Sequence, residues 1–296
     1  MSVSPVISEM LASYRCQNER EVVNALREIM QNVALLAFSR TDFFQKAAFY
    51  GGTALRILYG LNRGSEDMDF TLLEQDESFD LMDYSGELET EFNAYGLHAV
   101  FTRKVKLEGN NIQSGFLKSN THVQLLSIGI DEELIKRIHP QSEIKIKVEV
   151  DVCPPEGGQT EIRYVYQPIP FAIRSCSLPM LLSGKLHAVL FRKWRRRIKG
   201  RDWYDLAWYA AKHPEYDLRH LEMRARQSGD YNAPQALTSA TVQQLLIQRL
   251  EELDIDAMKD DVRPFLRNPK DIDFWDKPFF LDAFNKLKGI AMTPFA

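Results

Sequence analysis

Residues 50–70 read YGGTALRILYGLNRGSEDMDF, and the order of parts within this stretch decides the fold. Gly51-Gly52 breaks the preceding pattern, and Thr53–Tyr59 has helical spacing. Gly60–Ser65 is turn-forming, and Met68–Leu73 reads as a strand entered through Asp67-Met68-Asp69. Residues two apart on a strand share a face, so Asp67 and Asp69 project together. Two like charges that close are costly unless a cation lies between them. Carboxylate oxygens, with other positions left to water and phosphate, describe a magnesium site. Glycines ahead of a helix let the backbone approach a phosphate, and the first N–H groups of that helix bind it. Thr53 adds a hydroxyl at the same place. Read separately, the glycines make an ordinary turn and the acids decorate a surface. One short helix apart, the two features together are far more specific.

Working outward, 296 residues with 45% hydrophobic and 26% charged content can build one large domain or two smaller ones. No run approaches the roughly 18 apolar residues of a membrane span. The N-terminus lacks the charged and apolar blocks of a secretory signal. Cys16, Cys153 and Cys176 have neither CxxC nor Cys/His spacing, which argues against a disulfide scaffold or a structural zinc. The expectation is a cytoplasmic protein without membrane association.

Apolar residues at helical spacing predict a helix over 18–38 with Asn18 as its cap, and a second over Thr41–Ala48. Ser78–Tyr95 is expected to be helical, and Ala99–Lys106 and His122–Ile130 are expected strands. Strict alternation makes Ile144–Val152, IKIKVEVDV, the clearest strand, ended by Pro154-Pro155 and Gly157-Gly158. Beyond Pro168, Pro170 and Pro179 the chain is expected to be predominantly helical to its end. Strands early and helices late predict an α+β domain over 1–175 and a helical domain over 176–296.

The net charge of −4 is uneven. Residues 1–150 hold 15 Lys and Arg against 22 Asp and Glu, while 151–296 hold 22 against 19. Phe191–Arg201, FRKWRRRIKGR, has seven basic residues and no acid. At about 100° per residue, Lys185, Arg192, Arg196 and Lys199 fall on one stripe of a single helix. That stripe suits a triphosphate or a nucleic-acid backbone, although a solvated helix face is an equal reading for a charge run. Asp202 and Asp205 stand one helical turn apart, with Lys199 or Arg201 able to neutralise them. Asp205 reads as an acid paired locally on a core-packed helix. Trp203 and Tyr204 could stack on a base, but buried aromatics are the commoner outcome. The six histidines show no ligand spacing and read as structural or surface residues.

The stretch at 50–70 resembles motif I of the polymerase-β-like nucleotidyltransferases. In detail it resembles the AbiEii/AbiGii branch, the toxins of type IV toxin–antitoxin and abortive-infection systems. That branch reads GGTAL…(R)xSxDxDF, which Arg63, Ser65, Asp67, Asp69 and Phe70 match. Its second mark, a helix lysine followed by a basic stretch and an RDxYDL box, is matched by Leu182–Ala188 and Lys199–Leu206. The resemblance implies that one or two Mg2+ ions are held by Asp67 and Asp69. It implies a nucleoside triphosphate gripped by Gly51, Gly52, Thr53, Ser65 and Lys185, and functional roles for Lys185 and Asp202. A third carboxylate would come from a neighbouring strand; Asp151 or Glu149 could supply it, and Asp151 is preferred at the strand end. Arg192, Arg196 and Lys199 would meet an RNA acceptor, by family analogy the 3′ end of tRNA, with translation blocked as the result. A cognate antitoxin encoded next door is implied, and in some relatives a hydroxyl placed like that of Ser65 is phosphorylated by it. Competing readings are a small-molecule or protein nucleotidyltransferase and a non-catalytic RNA-binding module. Residues 214–296 carry no mark of function.

Overall fold

The structure, a computed structural model, describes residues 4–104, 111–121, 124, 139, 141–193 and 198–291. Of the strand expected at 122–130 only Gln124, which is helical, is among the described residues, and the cation Arg196 lies outside them. The chain divides into two units. The first takes Met1–Leu58, Ser65–Cys153 and Ile162–Ser175; the second takes Tyr59–Gly64, Pro154–Glu161 and Cys176–Ala296.

The first unit is built on a mixed seven-stranded sheet in the order β3-β4-β5-β2-β1-β7-β6. These strands are β1 (Ala47–Tyr50), β2 (Met68–Leu72), β3 (Val100–Arg103), β4 (Ile112–Asn120), β5 (Glu143–Asp151), β6 (Thr160–Val165) and β7 (Phe171–Cys176). Helices α1 (Pro5–Ser13), α2 (Glu19–Ser39), α3 (Phe43–Lys46), α4 (Gly51–Tyr59) and α5 (Ser85–Ala94) accompany it. The helix expected from residue 18 is α2, and Asn18 caps it by accepting the Glu21 N–H at 3.0 Å. The helix expected over 41–48 is only α3, because residues 47–50 pair with β2 instead. Ala47 opposes Leu72 and Tyr50 opposes Asp69 in an antiparallel ladder.

Period-two alternation sorts the sheet into two faces. Met68, Phe70, Leu72, Ile144, Ile146, Val148 and Val150 are buried and form the core with α2. Asp69, Lys147 and Glu149 share the other face. Parallel pairing of β2 with β5 sets Asp69 beside Glu149 and Thr71 beside Asp151. The core centres on Phe70, whose ring meets Phe43 at 4.9 Å, Phe49 at 5.1 Å and Phe38 at 5.4 Å. These rings therefore tie α2, α3 and β1 to the strand that carries the acids.

The second unit contains α6 (Leu178–Phe191), α7 (Gly200–Lys212), α8 (Leu218–Gln227), α9 (Ser239–Glu251), α10 (Ile255–Val262) and α11 (Lys277–Lys286). Two short strands, β8 (Glu215–Asp217) and β9 (Lys288–Ile290), pair in parallel. They stand within a stretch that is otherwise mainly helical, as expected beyond the prolines. Among the described residues no helix is long and apolar enough to cross a membrane.

Phe70→Ala should cost about 3–5 kcal/mol, the usual loss for a buried Phe truncation, measurable as a lower urea midpoint. A second outcome concerns pH. Burial, helped by the Arg224 and His187 charges, pushes the His220 imidazole down to about 4. Unfolded histidines titrate near 6.5, so the unfolded chain takes up the proton first and stability falls as pH drops through that window. His220→Leu should flatten that part of a Tm-against-pH curve, worth up to about 3 kcal/mol.

Candidate active site

The turn between β1 and α4 brings the first set of expected residues together. Gly51 has φ +83°, and a Cβ placed on it would lie 2.4 Å from Asp69 Oδ2. Only glycine accepts both that backbone angle and that closeness. The Asp69 carboxylate thus rests against the start of α4, where the first-turn N–H groups have no intrahelical partner. Gly52 follows in the same turn, half-buried.

The loop between α4 and β2 is fastened from inside the first unit. Thr53 is fully buried; its hydroxyl bonds Ser65 Oγ at 2.9 Å and also meets the Asp67 carbonyl. Its hydroxyl is therefore engaged in holding the acidic loop, a task different from the phosphate contact expected of it. Gln31 of α2 donates to the Ser65 and Glu66 carbonyls, each at 3.2 Å. Arg27, one helical turn earlier on α2, carries a guanidinium whose pKa burial lowers, while the Glu66 and Asp67 charges oppose that shift. Neither Gln31 nor Arg27 was signalled as a site residue by the sequence, since both sit within an ordinary amphipathic helix.

Asp67 and Asp69 are both half-buried and flank Met68, which points into the core. Their donor set fits a divalent cation. Hard carboxylate oxygens beside a glycine-bared backbone leave coordination positions for water and phosphate, as magnesium prefers. Among the described residues no three His, Cys, Asp or Glu side chains converge into one ligand group. Of the two candidates for a third carboxylate, Glu149 stands abreast of Asp69, receives Lys147 Nζ at 2.6 Å and accepts from Ser114 Oγ at 3.0 Å. Asp151 lies two residues further along, is buried, and accepts the Cys153 N–H at 3.1 Å.

The second set of residues forms an ionic cluster within the second unit. Lys185 of α6 directs Nζ to Asp202 Oδ1 and Asp205 Oδ2, both at 2.8 Å. Arg63 grips Asp205 with two parallel bonds, Nε to Oδ1 at 2.6 Å and Nη2 to Oδ2 at 2.7 Å. Arg192 Nη1 reaches Asp202 Oδ2 at 2.5 Å. Burial works against the Lys185 charge, yet Asp202 and Asp205 outweigh it and its pKa is raised. Burial likewise favours a neutral Asp205, but Arg63 and Lys185 hold its pKa below the usual carboxylate value. Among the described residues, three cations against two carboxylates leave the cluster one positive charge in surplus.

The cationic stripe expected on one continuous helix is corrected here. α6 ends at Phe191, and Arg192 is extended with ψ 124°. A run of like charges disfavours further helix. Arg249 of α9 caps this end instead, donating to the Val189 carbonyl at 3.2 Å and to that of Arg192. Lys199 precedes α7, outside any helix. Trp203 is buried against Phe280, so it offers no stacking face. Asp202 does occupy the first turn of α7, as expected.

A family model described as nucleotidyl transferase AbiEii toxin, type IV TA system, matches residues 33–283. No curated protein is similar enough in sequence to match. Among solved structures, MenT4, a nucleotidyltransferase toxin from Mycobacterium tuberculosis, is 14% identical with a TM-score of 0.53. That match covers 94% of this chain and 88% of the other. JHP933 from Helicobacter pylori is 16% identical with a TM-score of 0.50, over 89% of each chain. At these identities the two structures show a shared fold.

Gly51→Ala and Gly60→Ala separate backbone strain from displacement of the Asp69 carboxylate. Both glycines have positive φ, but a Cβ at Gly60 meets nothing within 4 Å. Each variant should lose about 1 kcal/mol of stability in thermal melts. Only Gly51→Ala, which displaces Asp69, should also weaken Mg2+ binding measured by calorimetry.

Proposed function

This chain belongs to the AbiEii family of nucleotidyltransferase toxins of type IV toxin–antitoxin systems and is a nucleotidyltransferase, and from that premise we propose that it transfers a nucleoside monophosphate from an NTP to RNA. The acceptor in this proposal is the 3′ end of tRNA, and the added nucleotide stops translation by blocking aminoacylation. The observation that carries it is the Asp69 carboxylate, two residues from that of Asp67, seated against Gly51 at the start of α4.

In this reading Asp67 and Asp69 hold Mg2+, which when bound neutralises the triphosphate and orients its α-phosphorus. Open N–H groups at Gly51 and Gly52 receive a phosphate oxygen. The acceptor hydroxyl oxygen forms a bond to the α-phosphorus, the bond to the β-phosphate bridge breaks, and pyrophosphate leaves. A carboxylate near Asp69 takes the hydroxyl proton. We assign that task to Glu149, which lies abreast of Asp69, in preference to Asp151, whose carboxylate is turned to the Cys153 amide.

Lys185 supplies positive charge to the phosphates, and Asp202 pairs with it until they arrive. Arg192, whose side chain is 45% exposed, and Lys199 serve the RNA backbone. An acceptor with a polyanionic backbone suits a cluster with surplus positive charge better than a cationic small molecule does. An antitoxin encoded by a neighbouring gene is the proposed partner. The Ser65 hydroxyl, bonded to Thr53 beside the acidic pair, is a place where a phosphate would repel the substrate.

The test is transfer of label from each α-labelled NTP onto total RNA with Mg2+. A labelled tRNA-sized band, falling to background with Asp67→Ala and with chelator, is the expected result. Label on protein or on a small molecule would replace the RNA acceptor, and no transfer to any acceptor would remove the catalytic reading.

A further inference from the structure

The ionic cluster of the second unit contains two members to which no role has been given, Arg63 and Asp205. Both are among the most deeply buried ionised groups described. Arg63 is 4% exposed and Asp205 0%. Burying an ion pair is expensive, and exchanging it for apolar side chains of similar volume often leaves stability unchanged or improved. A pair kept under those conditions invites the question of what it holds.

Its geometry answers. The Asp205 carboxylate is shared: Oδ1 accepts from Arg63 Nε, while Oδ2 accepts from both Arg63 Nη2 and Lys185 Nζ. The two parallel guanidinium bonds leave the carboxylate plane no freedom to rotate. Arg63 Nη1 is fixed in turn, donating to the Gly64 carbonyl at 2.9 Å. Tyr204, next to Asp205 on α7, donates to the Asn62 carbonyl at 3.1 Å, so the backbone carrying Arg63 is held on either side of it. The result is an oxygen at a fixed point 2.8 Å from the Lys185 ammonium.

Asp202, the other acid on Lys185, is placed differently. Its second oxygen is bonded to Arg192, a side chain 45% exposed, so this side of the cluster opens to solvent and can exchange partners. A lysine held by two acids needs one of them to stay when an anion arrives. Asp205 is the one that stays.

We propose that Asp205, locked by Arg63, is a positioning residue for nucleotide transfer, acting through Lys185. It fixes the ammonium while the Asp202–Arg192 side rearranges around an incoming phosphate. The proposal rests on the reading that Lys185 meets the triphosphate, and its test separates the two.

The experiment is a double-mutant cycle on the full chain, with NTP-dependent pyrophosphate release as readout and circular dichroism melts as a fold check. Asp205→Asn should raise the KM for NTP and lower kcat/KM about tenfold or more, a loss within the range of coupling between contacting charged groups. The KM for the RNA acceptor should stay unchanged. In a Lys185→Ala background, Asp205→Asn should change kcat/KM less than about twofold, because the residue it acts through is gone. Asp205→Asn leaves Arg63 without its charge partner and could fail to fold. The paired variant Arg63→Met with Asp205→Leu removes both buried charges and should show the same loss and the same dependence on Lys185. Equal losses with and without Lys185, or a parallel rise in both KM values, would overturn the positioning role while leaving Lys185 as a phosphate ligand. Wild-type kinetics from Lys185→Ala alone would instead remove the reading on which the proposal rests.

Discussion

A carboxylate with no exposure to water has to be neutralised where it stands, and Asp205 sets that condition for the second unit. Its charge is met from two directions, by Arg63 and by Lys185. Meeting it brings α6, α7 and the segment at 59–64 into one arrangement. Once Lys185 is drawn to Asp205, Asp202 one turn earlier falls within its reach, and Arg192 follows to balance Asp202. Apolar packing carries α7 to the right neighbourhood through Trp203, Leu206 and Tyr209, all buried. Charge then decides its rotation, because a buried pair in the wrong geometry costs several kcal/mol, more than packing differences usually resolve.

The first unit solves the opposite problem. Asp67 and Asp69 carry like charges two residues apart at the start of β2. Backbone contacts secure their position. Thr53 and Gln31 bind carbonyl groups of residues 65–67, and Gly51 gives the Asp69 carboxylate room. The backbone of the acidic loop is therefore held at several points from α2 and α4. α2 contributes to both tasks: its apolar face fills the core and its polar positions Arg27 and Gln31 face the acidic loop.

Sequence patterning revealed α2, β2 and β5 because each has a long or strict period that matches one buried face. It failed at β1, where AAFY is short and alanine-rich, and at β4, where IQSGFLKSN mixes glycine and polar residues at positions half-covered by neighbours. It failed again at β7, since prolines on either side suggested a boundary without a strand between them. The glycine pair and the two aspartates were legible together because they lie within twenty residues and are brought side by side by one hairpin-like pairing of β1 with β2. Arg63 was visible only as a pattern match. Its partner is 142 residues away, and no local spacing can show a contact of that range. The basic run misled in a different way: periodicity assumed a helix that mutual repulsion and the Arg249 cap bring to an end at Phe191.

The division of the chain into units has a bearing on how such a protein can be rearranged by recombination. Residues 59–64 and 154–161 are counted with the second unit, although the chain on either side of each belongs to the first. A crossover at 175–176 would look clean on a linear map. It would nonetheless leave a host fragment carrying Arg63, a charge shaped for a carboxylate found only downstream. Exchange of the helical half between relatives is thus constrained by a single guanidinium in the other half of the gene, and viable chimeras have to inherit residue 63 and residue 205 from the same parent.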